Sequence, residues 1–172
     1  MSNFDFLNIK WPTLAKLGKQ AETYYHTDSN ASMLKMRMFG EQIIDLLLAK
    51  LKIQMGSYAS QDDKIKELRR AKLNKAIPDL FDVVRRMGNK ANHEGYENKK
   101  AALDCLISMY KVSAWFYLAV TKDESIKLLK YVEPKKAQQM VPLYNIEKFK
   151  EEKKELEEEH QTEVKAVQEE TK

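Results

Sequence analysis

The stretch NKKAALDCLISMYKVSAWFYLAVT, residues 98–121, decides the fold. Its apolar side chains Leu103, Leu106, Met109, Tyr110, Val112, Trp115, Phe116, Leu118 and Val120 surround most of a helical circumference. A helix apolar nearly all round belongs in the centre of a domain, with other helices packed about it. The longest nearly apolar run within it, residues 112–120, is far shorter than the ~20 residues that span a bilayer.

Upstream of this segment the apolar residues keep helical spacing. Trp11-Pro12 opens a first helix through Leu14, Leu17, Ala21, Tyr24 and Tyr25, with Pro12 suited to the first turn. Asp28-Ser29-Asn30 supplies a cap, and a long helix follows to about Ile53 through Leu34, Met38, Ile43, Ile44, Leu47, Leu48 and Leu51. Residues 54–60 read as a loop. Asp62-Asp63 starts a short charged helix through Ile65, Leu68 and Ala71. Pro78 begins the next, with Leu80, Val83, Val84, Met87 and Ala91 as its apolar stripe and Gly95 as a left-handed terminator.

Downstream, residues 125–132 read as a short amphipathic helix. Glu133-Pro134-Lys135-Lys136 marks a boundary and Val141-Pro142-Leu143 a second break. From Asn145 the pattern is Glu/Lys-rich, with Ile146, Phe149, Leu156, Val164 and Val167 as sparse apolar positions. That pattern predicts a long exposed helix, or a coiled-coil arm needing a partner. The expectation is an all-α bundle of about five core helices over residues 1–133, then a linker and a charged helical arm over residues 134–172. An end inside an unfinished charged helix favours a fragment of a longer protein.

Composition agrees with this class. Apolar residues make up 43% and charged residues 33%, while only five glycines and four prolines argue against a turn-rich β-sandwich or barrel. The net charge of +4 is unevenly spread: residues 145–172 hold ten Glu and six Lys, which leaves +8 on residues 1–144. A body that basic suits nucleic acid, or it is a solvated surface beside an acidic tail. Cys105, the single cysteine, lies in the apolar run and reads as a buried, inert thiol. The first residues lack a basic region followed by an apolar core, so a cytoplasmic protein is expected.

Many chemistries lack their motifs. No phosphate loop, dinucleotide fingerprint or nucleophile elbow occurs. His26, His93 and His160 are far apart and no cysteine pair accompanies them, so neither a metal nor another cofactor is expected. Trp11, Tyr24, Tyr25, Trp115, Phe116 and Tyr117 are aromatic enough to stack bases, but their helical spacing places them in a core.

The candidate site is the run Arg85-Arg86-Met87-Gly88-Asn89-Lys90-Ala91-Asn92-His93-Glu94-Gly95. Arg86 and His93 stand seven residues apart, two turns along one helical face, which Asp82 and Asn89 share. A histidine near neutral pKa and an arginine for phosphorane-like charge would cleave RNA without metal. One histidine per chain is thin for both acid and base work, so a symmetric dimer would supply the second. The structural alternative pairs Asp82 with Arg86, lets Asn89 and Asn92 satisfy backbone groups, and sets His93 against the helix dipole. Arg37 and Glu41, four apart, form an ion pair or place Glu41 to orient Arg86 or His93.

At these residues a resemblance enters. Residues 1–122 resemble the N-terminal helical domain of type I restriction enzyme R subunits and related DEAD/DEAH-box helicase proteins, the DUF4145 family. It is carried by Asn3-Phe4-Asp5-Phe6-Leu7, Trp11-Pro12-x-Leu14-Ala15-x-Leu17-Gly18, Ala21-Glu22 and Asp28. Lys35-x-Arg37-x-Phe39-x-Glu41, Leu80-Phe81, Arg85/Arg86-x-Gly88-Asn89-x-Ala91-x-His93 and Trp115-Phe116-Tyr117 follow in the same order. The Glu/Lys-rich end looks like the helical connector that leads into nuclease and helicase parts.

That family is similar to the HEPN superfamily of helical bundles, many of them dimeric RNases with Arg-x(4–6)-His, which makes Arg86 and His93 the implied catalytic pair. Met87 stands where active members carry a polar residue, and Gly88 loosens the helix between the two groups. The resemblance therefore implies a non-catalytic accessory domain of a restriction R-subunit-like protein in antiphage defence. Arg37, Glu41, Arg85 and Asn89 would be its binding or orienting residues. Its partners would be other restriction subunits or a DNA or RNA backbone. ATP-driven translocation and cleavage would belong to the rest of a type I restriction endonuclease. Two alternatives are a metal-independent RNase acting across a homodimer, and a structural dimerisation module using the arm.

Overall fold

Three of the helices start where a side chain accepts from a first-turn amide. The computed structural model describes residues 1–136 and 146–171. A short 3-10 turn, Asp5–Leu7, precedes α1 (Pro12–Tyr24), α2 (Ser29–Lys50), α3 (Gln61–Arg70), α4 (Ala76–Glu94), α5 (Lys99–Thr121) and α6 (Ile146–Glu170). Asp28 caps α2 by accepting from the Ala31 amide at 2.9 Å. Ser60 and Asp63 form a reciprocal capping box on α3, and Asn98 accepts from the Ala101 amide at 2.8 Å on α5. Gly95 ends α4 at φ 59°, in the left-handed region expected of it. No strand occurs among the described residues, so the all-α expectation holds.

Helix α2, not α5, is the hub. It packs against α1, α3, α4, α5 and α6, whereas α5 packs against α1, α2 and α4. The core runs through Leu14, Leu17, Phe39, Ile43, Phe81, Leu106, Met109 and Phe116, all buried. The N-terminal residues join it. Phe4 is fully buried, edge-on to Phe39 and Tyr110, with its ring over Gly18. A Cβ at Gly18 would fall 2.3 Å from Phe4 Cγ, so only glycine admits the ring there.

The nine-residue run read from the sequence understates α5. The whole helix of 23 residues is long and apolar enough, by length and composition, to cross a membrane. Half of that apolar window is buried inside the bundle, which makes α5 a core helix here.

Residues 125–132 are not the amphipathic helix expected; they run without helical structure. Their polar groups pair with other elements instead of with each other. Tyr110 Oη donates to the Leu129 carbonyl at 2.5 Å, and Asn3 makes two bonds with the Val132 backbone, at 2.8 and 2.9 Å. So short a helix has too few internal bonds to compete. The proposed boundary at Glu133-Pro134 is tied to the end of α1. Tyr25 Oη donates to Glu133 at 2.6 Å, and His26 Nε2 lies 2.5 Å from the Pro134 carbonyl. The second break, at Val141-Pro142-Leu143, lies outside the described residues.

α6 forms the expected charged helix but does not stand clear of the bundle. It lies along α2 and touches α1, with Leu156 fully buried and Phe149, Val164 and Val167 packed partly into the core. The surface that covers its sparse apolar stripe is the bundle itself.

Burial, with Asp104 nearby, pushes the Cys105 thiol up to about 12. At mildly alkaline pH the folded protein should therefore react with a thiol reagent roughly a thousandfold more slowly than the urea-unfolded chain, since the thiolate is the reactive form. Equal rates in stopped-flow labelling would show that Cys105 is accessible.

Candidate functional site

The polar run on α4 forms an ion network, not an isolated Arg–His pair. Asp82 is only 14% exposed and holds both arginines. It accepts from Arg85 Nη2 at 2.8 Å and Nε at 3.1 Å, and from Arg86 Nη2 at 2.6 Å. Arg85 also reaches Asp62 at 3.4 Å, which links α4 to the first turn of α3. Arg86 is otherwise 68% exposed. His93 is exposed in the last turn of α4, and among the described residues no hydrogen bond or ion pair joins it to another side chain. The two candidates share a face, about 10.5 Å apart along the axis. Asp82 draws the guanidinium towards the N-terminal end, away from His93.

Arg37 and Glu41 pair within α2 at 3.3 Å. No bond joins Glu41 to Arg86 or His93, so the expected orienting contact is not formed. Burial raises the Glu41 pKa against the opposing pull of Arg37 and of Lys153 from α6. Arg37 reaches α4 through its stem, which lies on Gly88. A Cβ at Gly88 would sit 2.6 Å from both Cβ and Cδ of Arg37. This changes the reading of Gly88. The helix runs unbroken through it, and its role is to let α2 and α4 approach. Met87 packs partly against the core, which accounts for an apolar residue after the arginines.

Asn89 is half-buried beside Gly88, and Asn92 is exposed. The backbone at the end of α4 is satisfied from elsewhere: Asn30 Nδ2 donates to the Ala91 carbonyl at 2.7 Å and to that of Tyr96 at 3.0 Å. The sequence reading assigned Asn30 to a cap and missed this role.

A second polar cluster lies where α6 meets α1 and α2. Lys35 is completely buried and donates to Glu152 Oε2 at 2.7 Å, with its ammonium 5.1 Å from the Phe149 ring centre. Burial lowers its pKa despite the Glu152 carboxylate. His160 Nε2 lies 3.2 Å from Asp45, which also takes Lys64 at 2.6 Å. Burial opposes ionisation of Asp45, yet hydrogen bonds from His160 and Lys64 outweigh it and hold its pKa below the ordinary carboxylate value. Glu163 accepts from the Thr13 amide at 3.3 Å and its hydroxyl at 2.8 Å, so α6 supplies the cap that α1 lacks in its own sequence. A groove of about 560 Å³, lined by Leu48, Ile53, Met55, Lys64, His160 and Val164 among others, runs beside this contact. The available signal was the spacing of Glu152, Leu156, His160 and Glu163, which places them on one face of α6. Among the described residues no three His, Cys, Asp or Glu side chains are grouped to hold a metal ion.

The chain is similar to the type I restriction enzyme EcoKI endonuclease subunit of Escherichia coli (strain K12), 31% identical over 140 residues. The match takes in 81% of this chain and 12% of that subunit's length. No family model matches the chain. No solved structure matches it either. The similarity supports a restriction-enzyme-related helical domain; the DUF4145 and HEPN assignments are not carried by it.

Gly88→Ala should lower stability in urea unfolding by about 1–3 kcal/mol, because the new methyl meets the root of Arg37 and not a mobile tip. Gly56→Ala is the contrast. Nothing lies within 4 Å of a Cβ there, so its change should stay within about 0.5 kcal/mol. Equal effects would show that the α2–α4 contact is looser than described.

Proposed function

We propose that this chain is a non-catalytic interaction domain of a restriction-system protein, contacting partner subunits or a nucleic-acid backbone. The observation that carries the non-catalytic part is the state of the α4 face: Arg86 is held by Asp82, and His93 has no side chain to orient it. A catalytic histidine needs its ring and tautomer fixed, normally by a second hydrogen-bonding group. The similarity to an endonuclease subunit, over a segment that is 12% of its length, supports the restriction context. ATP-dependent translocation and cleavage would reside in other parts of such a protein. The domain would be HEPN-like in its bundle, with the pair Arg86 and His93 retained as surface.

The nucleic-acid part rests on charge. Residues 1–136 contain 24 Lys and Arg against 16 Asp and Glu. Side chains of that sign attract phosphates without reading sequence.

Incubation of the purified chain with structured and single-stranded RNA, beside His93→Ala, tests the reading. No cleavage above background is expected from either. Cleavage by the parent protein that is lost in His93→Ala would replace this reading with a metal-independent RNase acting across a homodimer. In parallel, binding to a short DNA duplex should weaken linearly on a log–log plot against salt. No binding at low salt would confine the partners to protein subunits.

A further inference from the structure

We propose that the face of α1 and α2 beneath α6 is a phosphate-binding surface for nucleic acid, and that α6 is a displaceable acidic strap that covers it. The inference rests on the nucleic-acid part of the function proposed above and adds where the contact is made and what controls it.

The stripe of α2 turned towards α6 is unlike the rest of that helix. Lys35, Met38, Gln42, Asp45 and Ala49 share one face by helical register. Three of the five are polar or charged, and Lys35 is fully buried. A lysine is almost never fully buried in a core unless something is brought to pair with it. Here that is Glu152, from a helix with ten Glu and five Lys across residues 146–170. Lys16 of α1 is exposed at the edge of the same surface, close enough to Lys35 to depress its pKa further. Glu152 on Lys35 and Glu163 on the Thr13 amide and hydroxyl are carboxylates seated on donors that suit phosphate oxygens equally well.

The contact is built to be exchanged. Among the described side chains of α6, Leu156 is the one with 0% exposure; Phe149, Val164 and Val167 pack only partly. The remainder is polar and incompletely satisfied. His160 Nδ1 and Glu163 Oε2 are buried without a hydrogen-bond partner, and burial raises the Glu163 pKa. A strand of phosphates would replace one carboxylate on Lys35 and one on the Thr13 amide and hydroxyl, while α6 would regain water around its glutamates.

Leu156→Asp removes the apolar anchor and adds a negative charge. Hydrogen exchange should show fast α6 amides and protected α5 amides. This variant should bind a short fluorescein-labelled DNA duplex about tenfold more tightly than the parent at low salt, with a steeper salt dependence. Lys35→Gln in the Leu156→Asp background should abolish most of that gain. In the parent protein, saturating DNA should speed α6 exchange, since the two ligands of one face are linked reciprocally. If Leu156→Asp loses α5 protection, the double variant Glu152→Gln with Glu163→Gln decides. Its gain should exceed that of Glu155→Gln with Glu159→Gln, which makes the same charge change on exposed residues of α6. Parent-like DNA binding with α6 released, or equal gains from the two double variants, overturns the masked surface and leaves nucleic-acid binding elsewhere on the domain. Failure of every form to bind DNA overturns the nucleic-acid reading as well.

Discussion

Helix α2 is enclosed on nearly every side, and the other helices are placed by what each of its faces can accept. Buried side chains run from Ala31 to Leu48 with few interruptions. Its apolar faces set α1 and α5 through ordinary packing. Its approach to α4 is set by sterics, because the Arg37 stem needs the bare backbone of Gly88. The last face is polar, and there Lys35 requires a carboxylate. Removing the acid from a buried pair leaves an unpaired charge, a loss of about 3–5 kcal/mol where it has been measured. Withdrawing the whole helix instead lets Lys35 return to water, so the free energy that docks α6 sets a ceiling on what such a substitution can cost.

The same distinction separates the two polar clusters. On α4, Asp82 holds two arginines within one helix, and Arg85 reaches across to Asp62 of α3, in pairs that are solvated at Arg86 and Asp62. Such pairs are worth little to stability and arrange a charged face. At α6 the pairs cross between helices and one of them holds the fully buried Lys35, so they bear on whether an element is docked. Chemistry would need a buried acid or base held in a cleft beside its target. Neither Arg86 nor His93 is in that situation.

Much of the architecture could be read from the sequence, because caps and apolar periodicity are local. Asp28 and Gly95 mark their helix ends directly. What could not be read depends on contacts across the chain. Gly88 looks like a weak point in a helix until Arg37 is seen lying on it. Residues 125–132 carry a helical pattern, yet Asn3 and Tyr110 offer their backbone better partners. The α6 pattern is too polar to announce burial, since its few apolar residues pack on the bundle beside a buried lysine. At the candidate site, the Arg37–Glu41 pair was legible from spacing alone. The division of Asp82 between two arginines was not, because i,i+3 and i,i+4 partners were both available.

The two clusters meet at Arg37 and Glu41. Glu41 feels Lys153 of α6 on one side and Arg37 on the other, and the stem of Arg37 rests on α4 between Arg85 and Asn89. Release of α6 would take Lys153 away from Glu41 and change the charge felt at the Arg37 end of this path. A contiguous path of this kind is a physical means of linking sites, and coupling requires that one of its members have two arrangements. α6 is the member with the fewest apolar contacts holding it in one. The α4 face, rigid on its glycine, would receive such a change but would not initiate it.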